Sequence, residues 1–192
     1  MIRLGEIQKL QIVKSTEEGL FLNSKDKTNE EAVLLPRNQV EGDWKIGDEI
    51  QVFIYKDSQD QMIATTRKPK LAIGEVGFLK VVELTKIGAF LDWGLEKDLL
   101  LPFKEQTKKV QQGREYLVGM YVDKTGRLCG TMKVSKILSS ESPYKIDDYV
   151  QGMIYSFNRD IGAFVAVQNK YHGLIPKNEV FGDFELGDII QA

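Results

Sequence analysis

The phrase Ile-Gly-Ala-Phe occurs twice in this chain, within KIGAFLDWGLEKDLLLP at 86–102 and DIGAFVAVQNKYHGLIP at 160–176, each time with a proline 14 residues after its glycine. A phrase repeated at a fixed internal spacing marks copies of one module, and no other feature of the sequence restricts the fold as strongly. The punctuation extends to a third copy. Gly5, Gly74 and Asp148 each stand 14 residues before a second glycine, Gly19, Gly88 and Gly162. From these to Pro36, Pro102 and Pro176 is 17, 14 and 14 residues, and from each proline to Gly47, Gly113 and Gly187 is 11 in every copy. The wording agrees: LLPRNQV, LLPFKEQ and LIPKNEV, then KIGDEI, QQGREY and ELGDII.

Each copy reads as β-structure. EIQVFIY (49–55) and EYLVGMYV (115–122) are rich in β-branched and aromatic residues and are bounded by turn residues. VDKTGRL (122–128) and KDSQDQMI (56–63) occupy equivalent places and read as hairpin turns. FKEQTKK (103–109), after the second proline, is too short for more than a turn of helix. Copies of about 70 residues with about five strands each suit a small closed barrel, which hides its sheet edges. The expected organisation is therefore all-β, in tandem five-stranded barrels over 1–69, 70–138 and 144–192. The first junction, TRKPKL (66–71), is short and contains Pro69, so it should be stiffer than the longer MKVSKILSSESPYK (132–145).

Composition narrows the function. No apolar run approaches the roughly 20 residues of a membrane helix, and the MIRLGEIQKL start carries no apolar core of signal-peptide length. Cys129 is the one cysteine, so neither an internal disulfide nor a cysteine-rich zinc site forms, and a small buried residue in a reducing cytoplasm is expected. His172 is the one histidine, placed in a loop and given no role. One histidine and one cysteine in different modules make a poor nucleophile–base pair, and no Gly-x-x-x-x-Gly-Lys phosphate loop occurs. No enzyme, cofactor or metal is expected. With a net charge of −2, any nucleic-acid site must be a local patch of modest affinity.

Gly88-Ala89-Phe90-Leu91, Gly113 and Asp123-Lys124-Thr125-Gly126-Arg127 stand in an order that resembles the S1 RNA-binding domain, an oligonucleotide-binding (OB) barrel. The third copy carries Gly162-Ala163-Phe164-Val165 and Gly173-Leu174-Ile175, while the first is divergent, with Gly19-Leu20-Phe21-Leu22 and no Gly-Arg hairpin. Three such modules with LLP-type phrases resemble the bacterial conserved virulence factor B family, whose members place a winged-helix domain after the barrels. The chain ends five residues after Gly187, whereas the first copy runs about 24 residues past Gly47. The third barrel should therefore be incomplete, and the resemblance implies that the natural product continues beyond Ala192.

Strand alternation sets Ala89 and Leu91 on one face and Phe90 on the other, and likewise Ala163 and Val165 against Phe164. With the small and branched residues in the core, the rings face outward as platforms for bases; the competing reading packs them against a neighbouring module. Phe21 is the divergent equivalent. Arg127, and Lys133 on the following strand, would supply phosphate contacts, and the resemblance places Asp123 and Arg127 on the nucleic-acid face. Two family contact positions are altered: Ile87 and Ile161 replace an aromatic, and Pro102 and Pro176 replace a histidine. Trp44 and Phe184, equivalent to Val110, are expected in the core. The function expected is weak single-stranded RNA binding by tandem modules, as a cytoplasmic post-transcriptional or translational regulator. The alternative is a protein-interaction scaffold of barrels that have lost RNA affinity, with other proteins as partners.

Overall fold

The structure, a computed structural model, describes residues 1–25 and 32–191. The first barrel is built from β1 (Ile7–Ser15), β2 (Gly19–Asn23), β3 (Val33–Pro36), β4 (Glu49–Lys56) and β5 (Met62–Thr65). The second repeats it with β6 (Val76–Leu84), β7 (Gly88–Asp92), β8 (Leu99–Pro102), β9 (Glu115–Val122) and β10 (Leu128–Thr131). Both close in the order first, second, third, fifth, fourth strand. The third copy supplies β11 (Gln151–Asn158), β12 (Gly162–Val167), β13 (Tyr171–Pro176) and β14 (Ile189–Gln191), which form an open sheet in the order β13-β12-β11-β14. The chain is thus two closed OB barrels followed by an incomplete one.

The repeated phrase now has a physical cause. Gly19, Gly88 and Gly162 lie directly opposite Pro36, Pro102 and Pro176 across the second hairpin of each copy. Their φ angles are 149°, 153° and 139°, and a Cβ at Gly88 would meet the Leu101 carbonyl oxygen at 2.3 Å. Only glycine fits both the angle and the approach. Each proline ends its strand and opens a single 3-10 turn, Arg37–Gln39, Phe103–Glu105 or Lys177–Glu179.

One interval was misaligned by sequence. The core residues Ile12, Val81 and Ile154 pair with Leu22, Leu91 and Val165, and each is followed by the same register break. Counting back seven residues from each gives Gly5, Gly74 and Asp147, not Asp148. Asp147 has φ 73°, beside 77° and 79° at the two glycines. The β11–β12 turn is one residue longer, which restores the apparent spacing.

Alternation holds in the cores. Leu20, Leu22, Val33 and Leu35 line the first barrel, and Ala89, Leu91, Leu99 and Leu101 the second. The third cluster is smaller, with Ile154, Ala163 and Val165 buried and Ile175, Phe184 and Ile190 partly so. Trp44 is a correction: it is 39% exposed, its indole N–H donating to the Glu41 carbonyl at 2.6 Å, although Val110 at the same repeat position is buried. Phe184 packs only at the rim of its cluster.

The modules are joined by apolar contacts. Trp93, in the β7–β8 loop, meets Phe53 edge-on at 5.6 Å and Tyr55 at 6.3 Å between ring centroids. Those two rings point out of the first barrel yet are buried, so β4 is covered on both faces. The second junction has its own cluster, Val76, Val134, Leu138, Met153 and Ala166, into which the linker folds. The Val76 amide donates to the Asn169 carbonyl at 2.9 Å and Ser139 to Lys170 at 2.8 Å. The 132–145 linker is therefore packed in its first half, through Val134 and Leu138, and exposed in its second.

Candidate nucleic-acid interface

The register of each barrel lays one outward residue per strand into a transverse row. In the second barrel the row is Glu83, Phe90, Leu100, Cys129 and Tyr121. In the first it is Lys14, Phe21, Leu34, Ile63 and Tyr55. In the third it stops after Ser156, Phe164 and Leu174. Phe21, Phe90 and Phe164 thus hold the same place in the repeat, on the outer face, each half-buried between Ala, Leu or Val neighbours that enter the core. The row's closing tyrosines escaped the sequence reading, although EIQVFIY and EYLVGMY end on them in matching words.

The three rings differ in what surrounds them. Phe90 lines a cleft of about 260 Å³ between the first two barrels, with Tyr55, Lys56 and Asp60 from one side and Lys97, Asp98 and Arg127 from the other. Phe21 has the Lys14 ammonium 5.7 Å from its ring centre. Phe164 is tilted against Tyr155, centroids 6.1 Å apart.

The charged residues fall into different roles. Arg127 is exposed at the cleft, its Nε 3.4 Å from Asp60 Oδ1 across the junction. The Asp123 carboxylate instead holds the hairpin: Oδ1 accepts from the Thr125 amide at 2.8 Å, the Thr125 hydroxyl at 2.6 Å and the Arg127 amide at 3.1 Å. The Thr125 hydrogen bond chiefly keeps its carboxyl below the usual range. Asp123 therefore aims Arg127 and is itself occupied.

Lys133 requires correction. It lies beyond β10, at the entry to the 3-10 turn Val134–Lys136, with its ammonium on the Lys104 carbonyl and 3.5 Å from Glu105. The structure brings Phe90 and Arg127 together but leaves Lys133 outside the cleft. His172 is also corrected: it sits in β13, half-buried, its Nδ1 3.2 Å from the Tyr155 hydroxyl and its Nε2 3.1 Å from the Ser135 carbonyl.

The row offers little for covalent chemistry. Burial, followed by the Asp123 charge, pushes the Cys129 thiol up to about 11, so it stays protonated and unreactive at neutral pH. Its Sγ has Asp123 Oδ2 at 4.0 Å and no histidine partner. Among the described residues, no group of three or more His, Cys, Asp or Glu is arranged to hold a metal, and no helix is long and apolar enough to cross a membrane.

The S1 domain model matches residues 4–67 and again 73–133, one match on each closed barrel. The chain belongs to the S1 domain family. Over 98% of its length it is 25% identical to Conserved virulence factor B of Staphylococcus epidermidis and 24% identical to that of Staphylococcus aureus. It spans 66% and 65% of those relatives, just under two thirds of their length. Across 101 residues, 52% of this chain and 33% of the relative, it is 35% identical to Bacillus subtilis YitL. The fold is shared with a crystal structure of a multidomain protein with nucleic acid binding domains from Streptococcus pneumoniae. That match has TM-score 0.57 and 19% identity, and covers 98% of this chain and 67% of the other. The two S1 barrels are therefore the frame on which Phe90 and Arg127 are presented.

Proposed function

We propose that this chain binds single-stranded RNA in the cytoplasm, chiefly on the outer face of its second S1 barrel, with Phe164 of the third sheet as a weaker second contact. One observation carries the reading: Phe90 faces outward into a cleft that also holds Lys56, Lys97 and Arg127. An outward ring accepts any base by stacking, and neighbouring cations track the phosphates. Family membership supports the same role, as does the description of the Streptococcus pneumoniae neighbour. Linked contacts raise the effective concentration of the second once the first is made. A protein that grips RNA without chemistry of its own acts by occupying it, which fits a post-transcriptional or translational regulator.

The first barrel favours a second reading for its own face. Phe53 and Tyr55 are buried against Trp93, so protein contact has taken part of the surface where a strand would lie. On this reading the first barrel is a scaffold for the second. The test is titration of a labelled single-stranded RNA at two salt concentrations. Log affinity should fall with log salt by about 0.7 per neutralised phosphate. A flat response, or no binding at low salt, makes the whole chain a protein scaffold.

A further inference from the structure

The cleft beside Phe90 contains an acceptor that none of the stacking and phosphate contacts uses. Leu91 pairs with Leu99, so Asp98 is the diagonal neighbour of Phe90 on the outer face, about 7–8 Å away along the sheet. Two other carboxylates nearby are committed, and Glu83, opposite Phe90 on β6, is exposed and does not line the cleft. Asp92 is held by the Lys70 ammonium at 2.6 Å and the Gly94 amide at 2.9 Å. Asp60 faces Arg127 at 3.4 Å and Lys56 at 3.7 Å. Among the described residues, no donor is bonded to the Asp98 side chain, although it is half-buried in the cleft wall. Burial, then the charges of Asp92 and Glu83, raises its carboxyl above the ordinary value, as suits an acceptor lacking a donor.

We propose that this cleft is a guanine-accepting subsite, with Phe90 as the stacking face and Asp98 as the acceptor that reads the base. The proposal rests on the single-stranded RNA reading above and deepens it. A base stacked on Phe90 turns its Watson–Crick edge along the sheet, and unpaired bases are read on that edge. An ionised carboxylate only accepts. Guanine alone offers it two adjacent donors, N1–H and the N2 amino group, one for each oxygen. Adenine and cytosine offer one amino group, and uracil offers one N–H flanked by two carbonyls that repel the charge. At about 260 Å³ the cleft lies just under the size range of pockets for drug-sized ligands, which suits a single base with its sugar. Lys56 and Arg127, one from each barrel, stand on its rim for the flanking phosphates.

Among the described residues, the other modules lack this acceptor. By register, Ala32 stands at the matching position of the first barrel and His172 at that of the third. His172 already has both ring nitrogens engaged, by Tyr155 and Ser135. Selectivity should therefore reside in the second barrel alone.

The experiment compares the full chain binding a uridine decamer with the same decamer carrying one central guanosine, by fluorescence anisotropy. The wild type should bind the guanosine form roughly tenfold more tightly, the discrimination of a good two-donor contact. Asp98→Ala should bring the ratio of the two affinities to about one. Equal affinities in the wild type, or a ratio that survives Asp98→Ala, overturn the subsite while leaving RNA binding intact. If neither decamer binds, the RNA reading itself falls. Guanosine monophosphate is then titrated against the chain with amide shifts as readout. Shifts centred on Phe90 and Asp98 that uridine monophosphate does not produce uphold the guanine subsite, and their absence overturns it.

Discussion

The second barrel and the third sheet are written in nearly the same words, yet one is closed and the other open. Leu101 and Ile175 occupy the same repeat position, opposite Ala89 and Ala163. Leu101 has no exposed surface, while Ile175 remains partly open. Ile146 and Tyr149, just before β11, are 93% and 94% exposed, whereas their counterparts Ile73 and Val76 pack into the second barrel and its junction. The lesson is that the phrase encodes a hairpin pair, and burial comes from the strands that close over it. A motif match therefore measures local geometry better than stability.

Substitutions at matched positions put that difference to the test. Leu101→Ala should cost about 2–5 kcal/mol in urea denaturation, the range for emptying a sealed core. Ile175→Ala should cost about half as much, because solvent already reaches the site; equal losses would mean the open sheet is as well packed as the closed barrel. Next in size are Gly88→Ala and Gly162→Ala. Each added Cβ meets a carbonyl oxygen, at 2.3 Å and 2.0 Å, with φ in the glycine region. Gly88→Ala should destabilise by roughly 1–3 kcal/mol. Gly162→Ala should cost less, since among the described residues β13 is an edge strand, paired with β12 and otherwise bridged only at Tyr171 by Ser139, so its Ile175 end has room to yield.

Binding should separate the two regions in the same direction. Phe90→Ala should weaken RNA affinity by about 1–3 kcal/mol, with little change in melting temperature. Phe164→Ala should weaken it less, because its outward row ends at Leu174 and its ring leans on Tyr155. A larger effect at Phe164 would move the interface to the third sheet. The smallest signal is kinetic. Cys129 is buried with its thiol raised to about 11, so alkylation at pH 8 should be slow in the native chain. If the open sheet melts first, Cys129 should stay unlabelled through that step and react only when the second barrel opens.

Much of this arrangement was legible in the residues. Glycine–proline intervals located the strands because the crossing of Gly88 and Pro102 is a steric requirement that leaves a fixed mark. Parity placed Phe90 outside because Ala89 and Leu91 could only be inside. What failed was whatever depends on a neighbour far along the chain. Asp148 was matched to the wrong partner because a lengthened turn compensated for the shift. Lys133 was given a strand that ends two residues earlier. Asp98 gave no signal at all, since its interest lies in the donors it lacks, and those are known only once Lys70 and Arg127 have chosen Asp92 and Asp60.

The placement of Trp93 has a spectroscopic consequence. The chain holds two tryptophans, Trp93 sealed between the first two barrels and Trp44 open to water. Their emission should therefore split, a blue component from the dry indole and a red one from the wet. Parting of the barrels would convert the first into the second without unfolding either. The protein thus carries a native optical gauge of its own inter-barrel contact, and a Trp44→Phe variant would read that contact alone.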